Sequence, residues 1–371
     1  MRKIKVLIVD DSMVIRRLLS DALTTDPMIE VIGTAANGKI ALAKIPQLKP
    51  DIISLDMEMP EMDGLETLDE LRKLYPKLPV IMFSTLTQRG AEATLEALAR
   101  GASDYVTKPA NVGSVNAAIE SVKNELIPKL KMFFPWSKPA SSKPITSFVN
   151  SGSVAAKHSP NVHGVNKTNR VDIVVIGTST GGPNALNAVL TKIPADFPVP
   201  ILIVQHMPPI FTTQLAARLN QLSNISIQEA ADGDVLLPGG AWIAPGNFHL
   251  TIRRQANQLK AVLNQDAPEC SCRPAVDVLL RSAAQVFGSN TLAVVMTGMG
   301  QDGQRGCDSI RKAGGRTLVQ DEATSVVWGM PGSVANAGLA DCVLPLNSIA
   351  DEIIRQTLMG RSARTLAKAG V

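Results

Sequence analysis

"VDIVVIGTSTGGPNAL", residues 171–186, passes from an apolar run through a glycine-rich turn into a helix-like stretch, and its one serine is Ser179. Two phosphate-binding readings fail on spacing. A Walker-type loop needs a lysine after its second glycine, and Gly182 is followed by Pro183. A dinucleotide fingerprint needs G-x-G-x-x-G, and Ser179 stands where the second glycine belongs. Residues 177–181, GTSTG, instead match G-x-S-x-G between a strand and a helix, the setting in which a tight turn exposes a serine hydroxyl. The adjoining helix start offers unpaired N–H groups and a positive dipole end to an oxyanion.

A serine nucleophile needs a base, and the chain has four histidines. His158 and His163 lie in a polar stretch and read as solvated spacer residues. His206 closes the apolar run ILIVQH, so it sits at a carboxyl strand end as Ser179 does, whereas His249 lies inside the β-like NFHLTI. Geometry favours His206 as general base. A carboxylate must then hold the imidazole, and Asp302 follows the apolar run LAVVMTGMG in a glycine-rich turn; Asp232, Asp234, Asp321 and Asp341 remain open on sequence alone. The order Ser, His, Asp differs from that of the α/β-hydrolases, so the serine motif does not import their fold.

Outward from this stretch, the 371 residues divide into two α/β segments and a tether. Short aliphatic runs, KVLIVDD, EVIGTAA, DIISLDM, PVIMFST and SDYVTKP, alternate with helix-like stretches in the N-terminal segment. Each run is apolar on both faces, as buried parallel strands require. The expected architecture is two doubly wound parallel-sheet domains: a five-stranded one over residues 1–125 and a larger one over 170–365. A Ser-, Pro-, Asn- and Lys-rich flexible linker over 126–169 joins them. The net charge of +4 comes without a Lys/Arg stripe, so no nucleic-acid partner is expected. The N-terminal apolar run is only VLIV before two aspartates, so neither a signal peptide nor membrane insertion is expected. Cys270 and Cys272 lack a second pair to complete a zinc site and read, with Cys307 and Cys342, as reduced thiols.

Asp10 and Asp11 end the first run, Asp56 the third, Ser84 the fourth and Lys108 the fifth, which brings them to one sheet edge. Three carboxylates there call for a hard dication such as Mg²⁺, and Lys108 supplies positive charge to a transferred phosphoryl group. This constellation resembles the receiver domain of bacterial response regulators. The resemblance implies that Asp56 accepts phosphate from a histidine kinase, that Asp10 and Asp11 help to hold Mg²⁺, and that Ser84, Tyr105 and Lys108 transmit the change. It also implies a cis bond between Lys108 and Pro109.

The second segment resembles the chemotaxis receptor-glutamate methylesterases, through GTSTGGP, IVQHMPP, AWIAPGNFHL, CRPAVDVLL, VVMTGMGQDG and QDEATSVVWGMP in that order. That resemblance implies Ser179 as nucleophile, His206 as base, Asp302 as its partner, and the backbone N–H groups of Thr180 and Met299 as oxyanion hole. It further implies a cytoplasmic enzyme that needs no cofactor for hydrolysis. Its substrates would be methyl esters, and also glutamines, on chemoreceptor helices, and its phosphodonor a chemotaxis histidine kinase.

Overall fold

A computed structural model of the chain describes residues 2–109, 114–134, 170–359 and 361. Strands β1 (Ile4–Val9), β2 (Ile29–Ala35), β3 (Ile52–Asp56), β4 (Val80–Ser84) and β5 (Asp104–Thr107) form a parallel sheet in the order β2-β1-β3-β4-β5. Helices α1 (Met13–Leu23), α2 (Gly38–Leu48), α3 (Gly64–Leu74), α4 (Gln88–Ala99) and α5 (Val115–Met132) cover its two faces. Every residue of β3 and β4 is buried, which is why these strands read as unbroken apolar runs. The α1 helix is capped by Ser12, whose hydroxyl accepts the Ile15 N–H, so capping leaves the Asp11 side chain uncommitted.

The boundary expected at residue 125 falls inside α5, whose last turns bury Leu126 and Leu130. Pro128 lies within this helix and made its C-terminal part read as a break. Residues 135–169, most of the expected linker and including His158 and His163, lie outside the described residues.

The second sheet has seven parallel strands: β6 (Ile173–Thr178), β7 (Ile201–Gln205), β8 (Ser226–Glu229), β9 (Gly240–Ile243), β12 (Thr291–Val295), β13 (Arg316–Gln320) and β14 (Cys342–Leu344). Their order is β14-β13-β12-β6-β7-β9-β8, and an antiparallel hairpin, β10 (His249–Gln255) and β11 (Gln258–Asn264), stands beside the sheet. One face carries α6 (Gly182–Leu190), α7 (Phe211–Leu222) and α11 (Leu346–Leu358); the other carries α8 (Val276–Phe287), α9 (Gln304–Lys312) and α10 (Met330–Asn336). β6 lies between β7 and β12, with Gly177 opposite both Val204 and Val295, so the three turns that follow these strands open on one edge. The strand order reverses there, the position at which open α/β sheets form crevices.

The two domains share one apolar core that runs from Leu95, Leu98 and Tyr105 into Phe211 and Leu215, with α4 packed on α6 and α7. Among the described residues no helix is long and apolar enough to cross a membrane. Among the described residues the cis peptide bond is Arg273–Pro274, not Lys108–Pro109. The isomers of an X–Pro bond differ by only about 0.5–1 kcal/mol, so surroundings, not the dipeptide, select one.

A Cβ on Gly177 would stand 2.4 Å from Val276 Cγ1, between β6 and α8. Gly177→Ala is therefore expected to destabilise the second domain by about 1–3 kcal/mol. Adding Val276→Ala should recover part of that loss. Urea unfolding followed by circular dichroism checks this, and an unchanged midpoint in the single variant would contradict the packing.

Candidate active site and phosphorylation site

The turn after β6 brings Ser179 out of the sheet and enters α6 through Gly181, whose φ of 77° lies in the left-handed region that glycine favours. Ser179 and His206 line one cleft, together with Thr180, Gln205, Asp104, Tyr105 and Lys129. His206 follows β7, and its Nε2–H donates to Asp302 Oδ2 at 2.8 Å. That bond leaves Nδ1 as the ring's acceptor; it faces Cys272 Sγ at 3.6 Å, and among the described residues the Ser179 hydroxyl makes no hydrogen bond to His206. Asp302 is only 2% exposed in its side chain and accepts more than the imidazole. The Val276 N–H reaches Oδ2 at 2.7 Å and the Asp277 N–H reaches Oδ1 at 2.8 Å, so Asp302 also caps the start of α8.

Burial is the largest influence on Asp302 and acts to raise its pKa; the His206 hydrogen bond and charge, with the two N–H donors, outweigh it and hold the carboxyl below its ordinary range. For His206 burial works against the charged form. The Asp302 hydrogen bond, helped by Cys272, overrides it and raises the imidazole pKa above its usual value.

Of the alternatives left open by the sequence, His249 is a buried structural residue: its Nδ1 accepts the Ala275 N–H at 3.2 Å and its Nε2 bonds the Ala267 carbonyl at 3.2 Å. Asp232 accepts the Leu263 N–H of β11 and Asp341 the Thr317 N–H of β13, while Asp234 accepts the Ala231 N–H and Asp321 the Thr324 N–H within turns, so each is committed to the backbone. None of them meets His206.

Among the described residues neither the Thr180 N–H nor the Met299 N–H has an acceptor. Gly298 holds that second segment against the nucleophile, since a Cβ there would stand 2.8 Å from Ser179 Cβ. Two residues to which the sequence reading gave no role organise the turn. Gln205 accepts the Thr178 hydroxyl and donates to the Ser179 carbonyl at 3.0 Å and the His206 carbonyl at 3.2 Å. Thr297 donates its hydroxyl to the Thr180 carbonyl at 2.9 Å and accepts the Val327 N–H at 3.0 Å. Both lie in quoted blocks, IVQHMPP and VVMTGMGQDG, and the signal that could have singled them out is polarity at the end of an otherwise apolar strand.

The receiver residues gather at the carboxyl edge of the first sheet. Lys108 Nζ lies 2.8 Å from Asp56 Oδ1 and 3.2 Å from Asp10 Oδ2. Burial above all, with Asp10 alongside, raises the Asp56 pKa to about 6 against the opposing Lys108. Asp10 is likewise raised, mainly by burial. Burial acts to lower the Lys108 pKa, but Asp56 and Asp10 outweigh it and hold the ammonium above its ordinary value. Asp10, Asp11 and Asp56 each offer an oxygen within 4.8 Å of the others, and Asp56 Oδ2 is buried without a hydrogen bond, so the donor set fits Mg²⁺. Asp11 and Asp56 border a cleft of about 770 Å³ that also includes Thr85, Arg89 and Lys108. Ser84 is buried and turned away, its hydroxyl donating to the Gly90 carbonyl in the first turn of α4 at 3.1 Å.

Tyr105 points to the other domain. Its ring stacks on Phe211 with centroids 4.9 Å apart and planes 7° apart. Beside it the Thr180 hydroxyl donates to Asp104 Oδ2 at 2.8 Å, Asn184 Nδ2 donates to the Leu98 carbonyl at 2.8 Å, and Arg218 pairs with Glu96 at 2.9 Å. Lys129 Nζ bridges Asp104 at 3.3 Å and the Tyr105 carbonyl at 2.6 Å. The receiver thus covers Ser179 and His206, and the cleft between them has only about 20 Å³ of free space. A water needs about 10–15 Å³ by the same kind of measure, so an ester side chain does not fit.

The CheB methylesterase family model matches residues 174–353, and the response regulator receiver domain model matches residues 6–120. The chain is 54% identical over 360 residues to a protein-glutamate methylesterase/protein-glutamine glutaminase of Trichodesmium erythraeum (strain IMS101), covering 96% of this chain and 99% of that one. It is 50% identical over 367 residues to a protein of the same name from Nocardioides sp. (strain ATCC BAA-499 / JS614), covering 99% and 98%. The crystal structure of the Thermotoga maritima CheB methylesterase catalytic domain is 44% identical, with a TM-score of 0.49, over 50% of this chain and 98% of that chain.

His206 must be neutral to take a proton, and its partner carboxylate favours the charged form. Hydrolysis of a small methyl ester should therefore rise with pH along a limb whose apparent pKa lies above the ordinary imidazole value of about 6.5. In Asp302→Asn the limb should move to lower pH while the plateau falls by roughly 10⁴-fold. A kcat/KM profile across pH checks both, and an unmoved limb would contradict the pairing.

Proposed function

The chain belongs to the protein-glutamate methylesterase/protein-glutamine glutaminase family, with a receiver domain in front of a CheB methylesterase domain, and on that premise we propose how its residues divide the work. It hydrolyses glutamate methyl esters on the cytoplasmic helices of chemoreceptors to glutamate and methanol, deamidates particular receptor glutamines, and is switched on when a chemotaxis histidine kinase phosphorylates Asp56. The observation that carries the catalytic part is the His206–Asp302 hydrogen bond beside Ser179 in one cleft.

In this reading Ser179 Oγ attacks the ester carbonyl carbon while His206 Nδ1 takes the hydroxyl proton, and the carbonyl oxygen moves toward the free N–H groups of Thr180 and Met299. The imidazolium returns its proton to the departing methanol. A water then attacks the acyl-enzyme with His206 as base again, releasing glutamate and Ser179. With an amide the leaving group is ammonia, which leans harder on His206 as acid.

Asp10, Asp11 and Asp56 would hold Mg²⁺, which screens the charge of the incoming phosphoryl group, and Lys108 pairs with that group at Asp56. Phosphorylation puts a group of about −1.5 to −2 charges where the Asp56 carboxylate carried at most −1, and moves that charge outward at a site that borders the first turn of α4. Turning the Ser84 hydroxyl toward the new phosphoryl oxygens costs its bond to Gly90, and α4 is the helix that also carries Leu95, Glu96 and Leu98 against the esterase. A closed form favoured by about 100 to 1 requires about 2.7 kcal/mol, within the reach of one ring stack and a few polar contacts.

Three measurements test this. Ser179→Ala should abolish ester hydrolysis, by about 10⁴-fold or more, while Asp56 still accepts phosphate from a small phosphodonor. Loss of both together would contradict two separate sites. Chelation of Mg²⁺ should block that phosphorylation and spare the basal hydrolysis.

The interface is addressed by charge reversal. Glu96→Lys or Arg218→Glu alone should raise basal hydrolysis about two- to fivefold, the equivalent of the roughly 0.5–1 kcal/mol such an exposed pair supplies. The double reversal should return the rate toward wild type. Equal rates in all four proteins would reject occlusion.

A further inference from the structure

Cys270 and Asp277 take no part in the hydrolysis, yet both stand beside Asp302. Cys270 is exposed on the loop before α8, Asp277 lies in the first turn of α8, and each of the three offers a ligand atom within 4.8 Å of the other two. Asp277 is fully buried. Its Oδ1 accepts the Gly303 N–H at 2.9 Å and the Gly306 N–H at 2.7 Å, while its Oδ2 is buried with no hydrogen bond at all. A buried carboxylate oxygen without a donor is costly, and a cation is one of the few partners that remove the cost.

The local charges agree. Asp302 and Asp277 are the negative charges that act on Cys270, with Arg305 opposing them. The nearest arginine on α8, Arg281, has its guanidinium committed to both oxygens of Glu269.

We propose that Cys270, Asp277 and Asp302 form a binding site for a thiophilic divalent cation of the Zn²⁺ class, and that occupancy of this site silences the esterase. One sulfur and two carboxylates suit a borderline cation; Mg²⁺ and Ca²⁺ prefer oxygen alone. Tetrahedral Zn²⁺ spaces sulfur and oxygen ligands about 3.5 Å apart, so atoms that lie within 4.8 Å of one another need to close by up to about 1.3 Å; the exposed Cys270 loop can supply its share and small carboxylate rotations the rest. On binding, the Cys270 thiol proton leaves to solvent and a sulfur–metal bond forms; no electron is transferred. A cation on Asp302 withdraws the negative charge that holds and polarises His206, so the base loses its orientation and its basicity.

Binding stands on the three ligands themselves, while the silencing rests on the reading of His206 and Asp302 as the hydrolytic pair. The test uses the full-length, metal-free, reduced protein and titrates it with Co²⁺, then with Zn²⁺ as competitor. One equivalent of Co²⁺ should give a thiolate-to-cobalt absorption band that Zn²⁺ displaces. The oxygen-only site of the receiver gives no such band. Cys270→Ala should lose the band and bind Zn²⁺ at least about tenfold more weakly, whereas Cys272→Ala should keep it. Absence of the band in wild type, its persistence in Cys270→Ala, or its loss in Cys272→Ala alone would overturn the site.

Ester hydrolysis is measured in parallel, each protein against its own metal-free rate. Saturating Zn²⁺ should slow wild type at least about tenfold and Cys270→Ala much less. A wild type that binds through Cys270 yet hydrolyses at an unchanged rate would overturn the silencing alone. Hydrolysis that survives in Ser179→Ala would instead overturn the catalytic reading, whatever the metal does.

Discussion

Parallel strands joined by crossover helices all finish at the same edge of their sheet, and this geometric constraint places both chemistries of the molecule. In the first sheet the order reverses between β1 and β3, and Asp10 and Asp56 stand at the ends of those two strands. In the second it reverses around β6, with Ser179 after β6, His206 after β7 and Asp302 after β12. Residues nearly a hundred positions apart meet because their strands pair in register, not because their loops are long.

Within the second site one carboxylate does several jobs. Asp302 accepts two backbone donors from the start of α8 and one from His206, so the helix, the loop after β12 and the base are held by the same two oxygens. A buried charge with this many donors stays ionised at low cost, and an ionised partner keeps the His206 Nε2–H pointed inward and Nδ1 available. Gln205 and Thr297 extend the arrangement by satisfying the carbonyls of the nucleophile turn. The turn is thereby fixed before substrate arrives, which is what a site needs if it is to favour a transition state without rearranging. The same crowding of anionic groups leaves Asp277 Oδ2 without a donor, an expense that a purely structural carboxylate would not need to carry.

The helix α4 couples the domains because it has two employers. Its first turn borders the cleft at Asp56, and its later turns pack on α6 and α7 beside Ser179. Tyr105 and Asp104, adjacent on β5, face the esterase through Phe211 and the Thr180 hydroxyl. Thr180 therefore has two connections: its N–H is the one proposed for the oxyanion, and its side chain bonds Asp104 of the receiver.

The alternation of short apolar runs with helical stretches was enough to set two doubly wound domains, because buried parallel strands need apolar residues on both faces and that requirement is written locally. The residue types at the strand ends, Asp10, Asp11, Asp56, Lys108, Ser179 and His206, were legible for the same reason. Other decisions belonged to the tertiary structure. Four aspartates competed with Asp302 on sequence, and His249 with His206, until packing committed each rival to a backbone partner. The helical end of α5 was hidden by Pro128, which is tolerated because Leu126 and Leu130 gain burial. Gln205 and Thr297 lay inside the blocks IVQHMPP and VVMTGMGQDG with no role attached, and Asp104 and Cys270 carried no chemical signal. Their roles depend on which loop comes within hydrogen-bonding distance of which, and that distance is set by the sheet register and the contact between domains, neither of which a local pattern encodes.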